Sequence, residues 1–288
     1  MWVGDGVLLA ATLVWGTTFV IVRDAVQDVP PLLFIALRFT LATAVVLPLA
    51  LRSRGLPDTR SLGAGALVGF WLFVGFAFQT TGLVEVLPAR AAFLTGLAVV
   101  LVPVLLFAVY RRLPSFGSLV GVLLATAGLA LLTGVGREGF SRGDLLVLVG
   151  AAGFAFQLLA VDRYSASVGS LRLLLVELTA VALLAWPATL LLEEWPRKIS
   201  IVGWKGVIIT ALLATLGALW AQNWAQQRIT PTRAAVILTM EPVFAAVYSY
   251  LATGERFGFA GLLGAVLILS GMMAAVLLPR PSAPDDPR

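Results

Sequence analysis

The chain contains no histidine and no cysteine. That removes disulfides, zinc sites built from Cys and His, thiolate nucleophiles and imidazole general bases. No GxxxxGK[ST] segment occurs, so nothing here cradles a nucleotide triphosphate in the Walker manner. Charge is scarce too. Only 12% of the 288 residues are Asp, Glu, Lys or Arg, against about 25% in a soluble domain. Lysine is limited to Lys198 and Lys205. What remains is 60% hydrophobic, with a mean hydropathy of +0.99. These values describe an integral membrane protein. The net charge of +5 is therefore read as topology signal at the ends of apolar runs, not as a nucleic-acid footprint.

The apolar runs are written twice. Gly4-Asp5 reappears as Gly143-Asp144, a shift of 139 (143 − 4), and the same shift matches Trp15 with Phe154, Thr18 with Gln157 and Arg38 with Glu177. Pro88-Ala89-Arg90 reappears as Pro231-Thr232-Arg233, a shift of 143 (231 − 88), which also matches Gln79 with Gln222, Gly121 with Gly264 and Gly128 with Gly271. A transmembrane helix needs roughly 20 apolar residues. Ten candidate spans follow, at 4–22, 32–51, 62–82, 89–110 and 116–134, then 144–162, 171–192, 203–224, 232–251 and 259–278. The fold expected is all-α and membrane-embedded, with units at 1–136 and 140–279 and a disordered tail at 280–288. Five spans per unit is odd, so the two repeats take opposite orientations. Arg52, Arg54, Arg60, Arg111 and Arg112 flank one side of the first unit, and place both termini in the cytoplasm. The first span lacks a basic leader and is read as a retained helix.

Two features read as scaffold. Gly121 and Gly128, like Gly264 and Gly271, lie seven apart on one helical face, where small residues admit a close neighbour. Pro88 and Pro231 suit the first turn of a helix, where a missing N–H is tolerated.

Polar groups within the spans are the candidates for solute contact. Trp220, Asn223, Trp224 and Gln227 have i, i+3, i+4, i+7 spacing and share a face, either of a cavity or of an interfacial aromatic belt. Gln79 and Gln222, with Thr18 and Gln157, occupy matched positions that would form two walls of one site or simply join helices. Trp15 is one turn from Thr18. Arg90 and Arg233 lie just inside helix N-termini, where the dipole disfavours a cation, so each calls for an anion: a solute carboxylate, a lipid phosphate, or Glu85 for Arg90. Glu241, followed by Pro242, is the deepest carboxylate and the coupling candidate, or else a partner of Arg233. Arg38 and Glu177 either pair or line opposite vestibules. The sequence calls for no metal, cofactor or catalytic group, and sets no oligomeric state.

On these residues the chain resembles the ten-helix EamA-type permeases of the drug/metabolite transporter superfamily. The resemblance is carried by Trp15-Gly16, by Arg90-Ala91-Ala92, and by Arg233-Ala234-Ala235 running to Glu241-Pro242-Val243-Phe244 and on to Gly254-Glu255-Arg256. It covers nearly the whole chain. Two departures stand out: Tyr110 to Pro114 lacks the Gly-Glu pair of the second half, and span one carries no carboxylate beyond Asp5. The resemblance implies a bacterial inner-membrane carrier with a central cavity and alternating access. It would export small metabolites, foremost amino acids of the aromatic or hydrophobic kind, with membrane lipids as its surroundings. A lipid or lipid-carrier translocator is the alternative. An enzyme is not expected.

Overall fold

The computed structural model describes residues 2–54, 57–111, 114–133, 141–253 and 258–278. Among them every regular element is helical. The elements are α1 (Trp2–Ala25), α2 (Pro31–Arg54), α3 (Thr59–Leu83), α4 (Pro88–Gly96), α5 (Ala98–Tyr110), α6 (Phe116–Thr133), α7 (Arg142–Val168) and α8 (Ser170–Leu192). They continue as α9 (Ile201–Ile209), a π-helical stretch (Thr210–Gly217), α10 (Ala218–Ala225), α11 (Pro231–Leu238), α12 (Met240–Thr253) and α13 (Phe259–Leu277). Helices satisfy their own backbone groups, which is what a chain crossing hydrocarbon requires.

Among the described residues, seven stretches are long and apolar enough to cross a membrane: Trp2–Ala25, Pro31–Arg52, Thr59–Leu83, Arg90–Val109, Arg142–Val168, Ser170–Leu192 and Ile201–Ala225. Phe116–Leu131 and Phe259–Ala275 are shorter apolar helices. The outer faces carry many large apolar side chains, with Leu123, Leu191 and Phe259 exposed, as suits a surface solvated by lipid. This is a multi-pass membrane protein.

Three expected spans are not single α-helices. The fourth breaks at Leu97, beside Gly96, into α4 and α5. The eighth contains the π-helical stretch between α9 and α10. The ninth breaks at Thr239 into α11 and α12. Pro242 accounts for that break, because it offers no N–H to the carbonyl of Leu238. The expected tail at 280–288 and the Gly254-Glu255-Arg256 segment lie outside the described residues.

Elements from the two halves interlock. α3 packs along α7 and α8, α2 along α8, α1 along α10 and α12, and α6 along α13. Glycine makes the approach possible. A Cβ on Gly128 would lie 2.6 Å from Gly264 O, and one on Gly121 would lie 2.8 Å from Gly271 O, so α6 and α13 meet backbone to backbone through the spaced glycines. Gly150 and Gly153 bring α7 as close to α3, each with Gly75 backbone under 3.0 Å from its Cβ position. Helix starts are fixed in the same cross-half manner. Glu193, at the end of α8, accepts the N–H groups of Leu32 and Leu33 at 2.8 and 2.9 Å, capping α2. Asp28 accepts the N–H of Ser200 at 2.9 Å. Pro88 and Pro231 open α4 and α11.

Candidate functional site

The interlocked helices line a cavity of about 110 Å³, far above the roughly 10–15 Å³ that one water requires. Both helix breaks open onto it. Thr95, Gly96 and Ala98 line it from the break between α4 and α5, and Leu238, Thr239 and Glu241 from the break between α11 and α12. Interrupted helices lining an interior cavity are the usual architecture of carrier binding sites.

Five residues expected to wall one site meet in this cavity, Trp15, Thr18, Gln79, Gln157 and Gln222, with the coupling candidate Glu241 beside them. Each of the five is held by a specific contact. Trp15 Nε1 donates to Ala214 O at 2.7 Å, a carbonyl of the π-helical stretch. Thr18 Oγ1 returns to Trp15 O at 3.0 Å. Gln79 Nε2 donates to Thr95 Oγ1 at 2.8 Å, and Gln222 Nε2 donates to Gln157 Oε1 at 3.2 Å. Among the described residues Gln157 Nε2 is buried without a partner, an available donor in the wall. Phe76 and Phe154 meet edge to face at 5.0 Å and complete an aromatic side.

Two ionisable side chains share the space. Arg38, on α2, lines the cavity with its guanidinium carbon 4.6 Å from the centre of the Phe76 ring, a cation–π contact. Its Nε donates to Thr215 Oγ1, again in the π-helical stretch. Glu241, on α12, also faces the cavity. Among the described residues neither forms an ion pair, and no hydrogen bond engages the Glu241 carboxylate. Its backbone is fixed by Gly16, whose Cβ position lies 2.6 Å from Glu241 O. Glu241 therefore does not pair with Arg233, and Arg38 does not pair with Glu177.

The remaining expected residues lie elsewhere. Trp220 is 43% exposed on the outer face and does not line the cavity. Asn223 is buried against Glu177 at 2.7 Å. Trp224 lies under the guanidinium of Arg228, 3.5 Å from its ring centre, and Gln227 donates to Ser165 O at 3.0 Å. Sharing a helical face does not bring these four to one site.

Arg90 and Arg233 receive their anion from the chain itself. Arg90 forms a two-point pair with Asp144, Nε to Oδ1 at 2.7 Å and Nη2 to Oδ2 at 2.8 Å. Arg233 does the same with Asp5, at 2.7 and 2.6 Å. Each pair joins one half to the other, and the repeat shift converts one pair into the other (5 + 139 = 144; 233 − 143 = 90). Asp144 also accepts Ser141 N at 2.7 Å in a capping box that starts α7. Glu85 instead lies 3.7 Å from Arg142.

Thr95 and Phe76 are lining residues that the sequence pattern did not single out, and Arg38 was read only as a partner of Glu177 or as part of a vestibule. The matching of Arg38 with Glu177 was the signal available for one of them. The comparisons with known proteins agree with this architecture. A 32% identical "Uncharacterized transporter" of Archaeoglobus fulgidus aligns over 94% of this chain and 84% of its own length. The "Uncharacterized inner membrane transporter YedA" of Escherichia coli K12 is 29% identical over 87% of this chain and 83% of its own. A solved crystal structure, 22% identical, superposes with a TM-score of 0.79 over 96% of this chain and 97% of that one, and shares its fold. The pattern of the EamA-like transporter family matches residues 2–134 and again residues 141–277, so the chain is a member of that family.

Proposed function

We propose that this transporter exports small amphipathic metabolites, foremost neutral amino acids with aromatic or hydrophobic side chains. It would do so from the bacterial cytoplasm, by alternating access of two five-helix repeats in inverted orientation. In this reading ten spans, divided at 1–136 and 140–279, cross the inner membrane with both termini cytoplasmic. The observation that carries the proposal is the cavity lining: one arginine and one carboxylate, neither in an ion pair, beside aromatic rings and amides. A charge in an apolar interior needs a counter-charge. A zwitterion supplies both at once, its carboxylate to Arg38 and its ammonium to Glu241. Its side chain would lie among Trp15, Phe76 and Phe154, with Gln79, Gln157 and Thr18 as hydrogen-bonding walls. Glu241 accepts either a proton or the solute's ammonium, and that competition makes it the coupling candidate. Arg90 and Arg233, already paired, hold the frame in this reading.

The test is counterflow of a radiolabelled amino-acid panel in proteoliposomes. Saturable uptake should be lost in Arg38→Gln and Glu241→Gln and kept in Trp220→Ala. Uptake of no amino acid by the wild type, alongside a working control permease, would end the amino-acid reading.

A further inference from the structure

The interior holds a second carboxyl group that the cavity does not use. Glu177 on α8 and Asn223 on α10 are both 0% exposed, and neither lines the cavity. Asn223 Nδ2 donates to Glu177 Oε1 at 2.7 Å. That leaves Glu177 Oε2 and Asn223 Oδ1, both buried and both without a hydrogen-bond partner. Two bare acceptors on one interacting pair call for an explanation, because buried polar atoms are nearly always satisfied.

No cation offers one. Among the described residues Glu177 has no ion pair. The ionisable groups on the elements packed against α8 are few. From α2 comes Arg38, bound to Thr215 and Phe76, with Arg52 and Arg54 at the far end. From α3 comes Arg60, nine residues before Gly69, whose Cβ position faces Glu177 backbone; nine residues are about 13 Å of helix. On α7, Arg142 and Asp144 lie at the start and Asp162, Arg163 and Tyr164 near the end. α10 carries none, and α8 itself adds Arg172 in its first turn. Around Glu177, Leu173, Leu174, Leu178 and Val181 are fully buried. An ionised carboxylate there would be a desolvated charge.

One proton resolves both orphan atoms. On Oε2 it turns an acceptor into a donor, and the acceptor left over on the same partner is Asn223 Oδ1. An acid and a carboxamide joined in this way can close a ring of two hydrogen bonds. We propose that Glu177 and Asn223 form a proton-binding site, occupied in this conformation and distinct from the solute cavity. The site fastens α8 to α10, the helix that carries Gln222 into the cavity wall. Loss of the proton leaves a charge that α8 and α10 can accommodate only by parting, so proton occupancy sets the position of that wall.

Infrared spectroscopy of the full-length protein in lipid bilayers tests the site without any solute. At neutral pH the wild-type carboxylic-acid carbonyl absorption should lose a component in Glu177→Gln that Glu241→Gln retains. Glutamine is the matched variant, since its amide can make both bonds to Asn223. A wild-type acid-carbonyl spectrum left unchanged by Glu177→Gln overturns the proposal. The link to transport rests on the amino-acid reading and is tested separately, by counterflow of a labelled neutral amino acid at equal internal and external pH. Wild-type exchange should fall on the alkaline side while Glu177→Gln, permanently neutral, stays flat. A Glu177→Gln profile parallel to wild type overturns the link. If the wild type moves no amino acid, the solute reading fails and the infrared result decides the proton site alone.

Discussion

Replacing Arg233 alone should damage the protein more than replacing Arg233 together with Asp5. Arg233 delivers two bonds to Asp5, at 2.7 and 2.6 Å, with both side chains nearly buried. Hydrogen bonds to charged groups contribute about 1.5–3 kcal/mol each, so Arg233→Leu should cost about 3–5 kcal/mol, the range for breaking one side of a buried pair. Asp5→Leu should cost as much, because it strands a cation at the N-terminus of α11, where the helix dipole opposes it. The double variant leaves no orphan charge, and should be more stable than either single variant. At about 2–4 °C per kcal/mol, each single variant should melt on the order of 10 °C below wild type. Intrinsic fluorescence of the eight tryptophans in detergent-purified protein reports the transition. A double variant whose loss equals the sum of the two single losses would refute the argument. The matching pair adds an internal check. Asp144 also caps α7 through Ser141, so Asp144→Leu should exceed Arg90→Leu by about 1 kcal/mol.

Gly128→Val should push α6 off α13, because its Cβ position lies 2.6 Å from Gly264 O; an overpacking loss of at least about 1–3 kcal/mol is expected in the same melt. Gly63→Ala on α3 is the contrast. Nothing lies within 4 Å of its Cβ position, and helix propensity favours alanine by up to about 1 kcal/mol. Glu193→Ala removes the cap shared by Leu32 and Leu33 and should cost about 1–2 kcal/mol, with amide hydrogen exchange rising first at the start of α2. The Asp58 carboxyl, which caps α3, is held below the usual carboxylate range by bonds from Ser61 Oγ and Ser61 N. Its contribution is therefore complete above about pH 4 and lost as pH falls through the lowered value. An asparagine side chain in its place caps without titrating, so the melting difference between Asp58→Asn and wild type should shift toward the variant in acid; a difference constant with pH would contradict this.

The all-helical membrane architecture was legible because hydropathy and the repeat are written along the chain. The glycine seams and the proline starts were legible for the same reason: each depends on spacing within one helix. Trp15, Thr18, Gln79 and Gln157 could be gathered because matched positions in two repeats tend to face a common space. The partners of Arg90 and Arg233 were missed although both halves of the answer were visible, the repeated Gly-Asp and the repeated Pro-x-Arg. The pairs cross between halves, over 54 and 228 residues, and no local pattern joins them. Trp220 was left between a cavity and an interfacial belt for a different reason. In a membrane the lipid-facing and inward-facing sides of a helix are both apolar, so periodicity selects a face without saying where it looks. The π-helical stretch just before it resets that face and gives no signal in composition.

The two crossed pairs and the cavity lining obey different symmetry, and the difference bears on how such a carrier would move. Exchanging the roles of the halves turns Asp5–Arg233 into Asp144–Arg90 and leaves the frame as it was. To first order the paired frame therefore adds no energy difference between two opposite-facing states. The lining does not survive the same exchange. Arg38 becomes Glu177, Thr18 becomes Gln157, and Glu241 becomes Ala98 (241 − 143 = 98). Two of those three substitutions change a formal charge in a desolvated interior. A difference of only about 1.4 kcal/mol shifts a two-state population tenfold. In the proposed carrier the resting orientation is accordingly decided by Arg38, Glu177 and Glu241, and ligands that neutralise them, a zwitterion or a proton, are the ones able to reverse it.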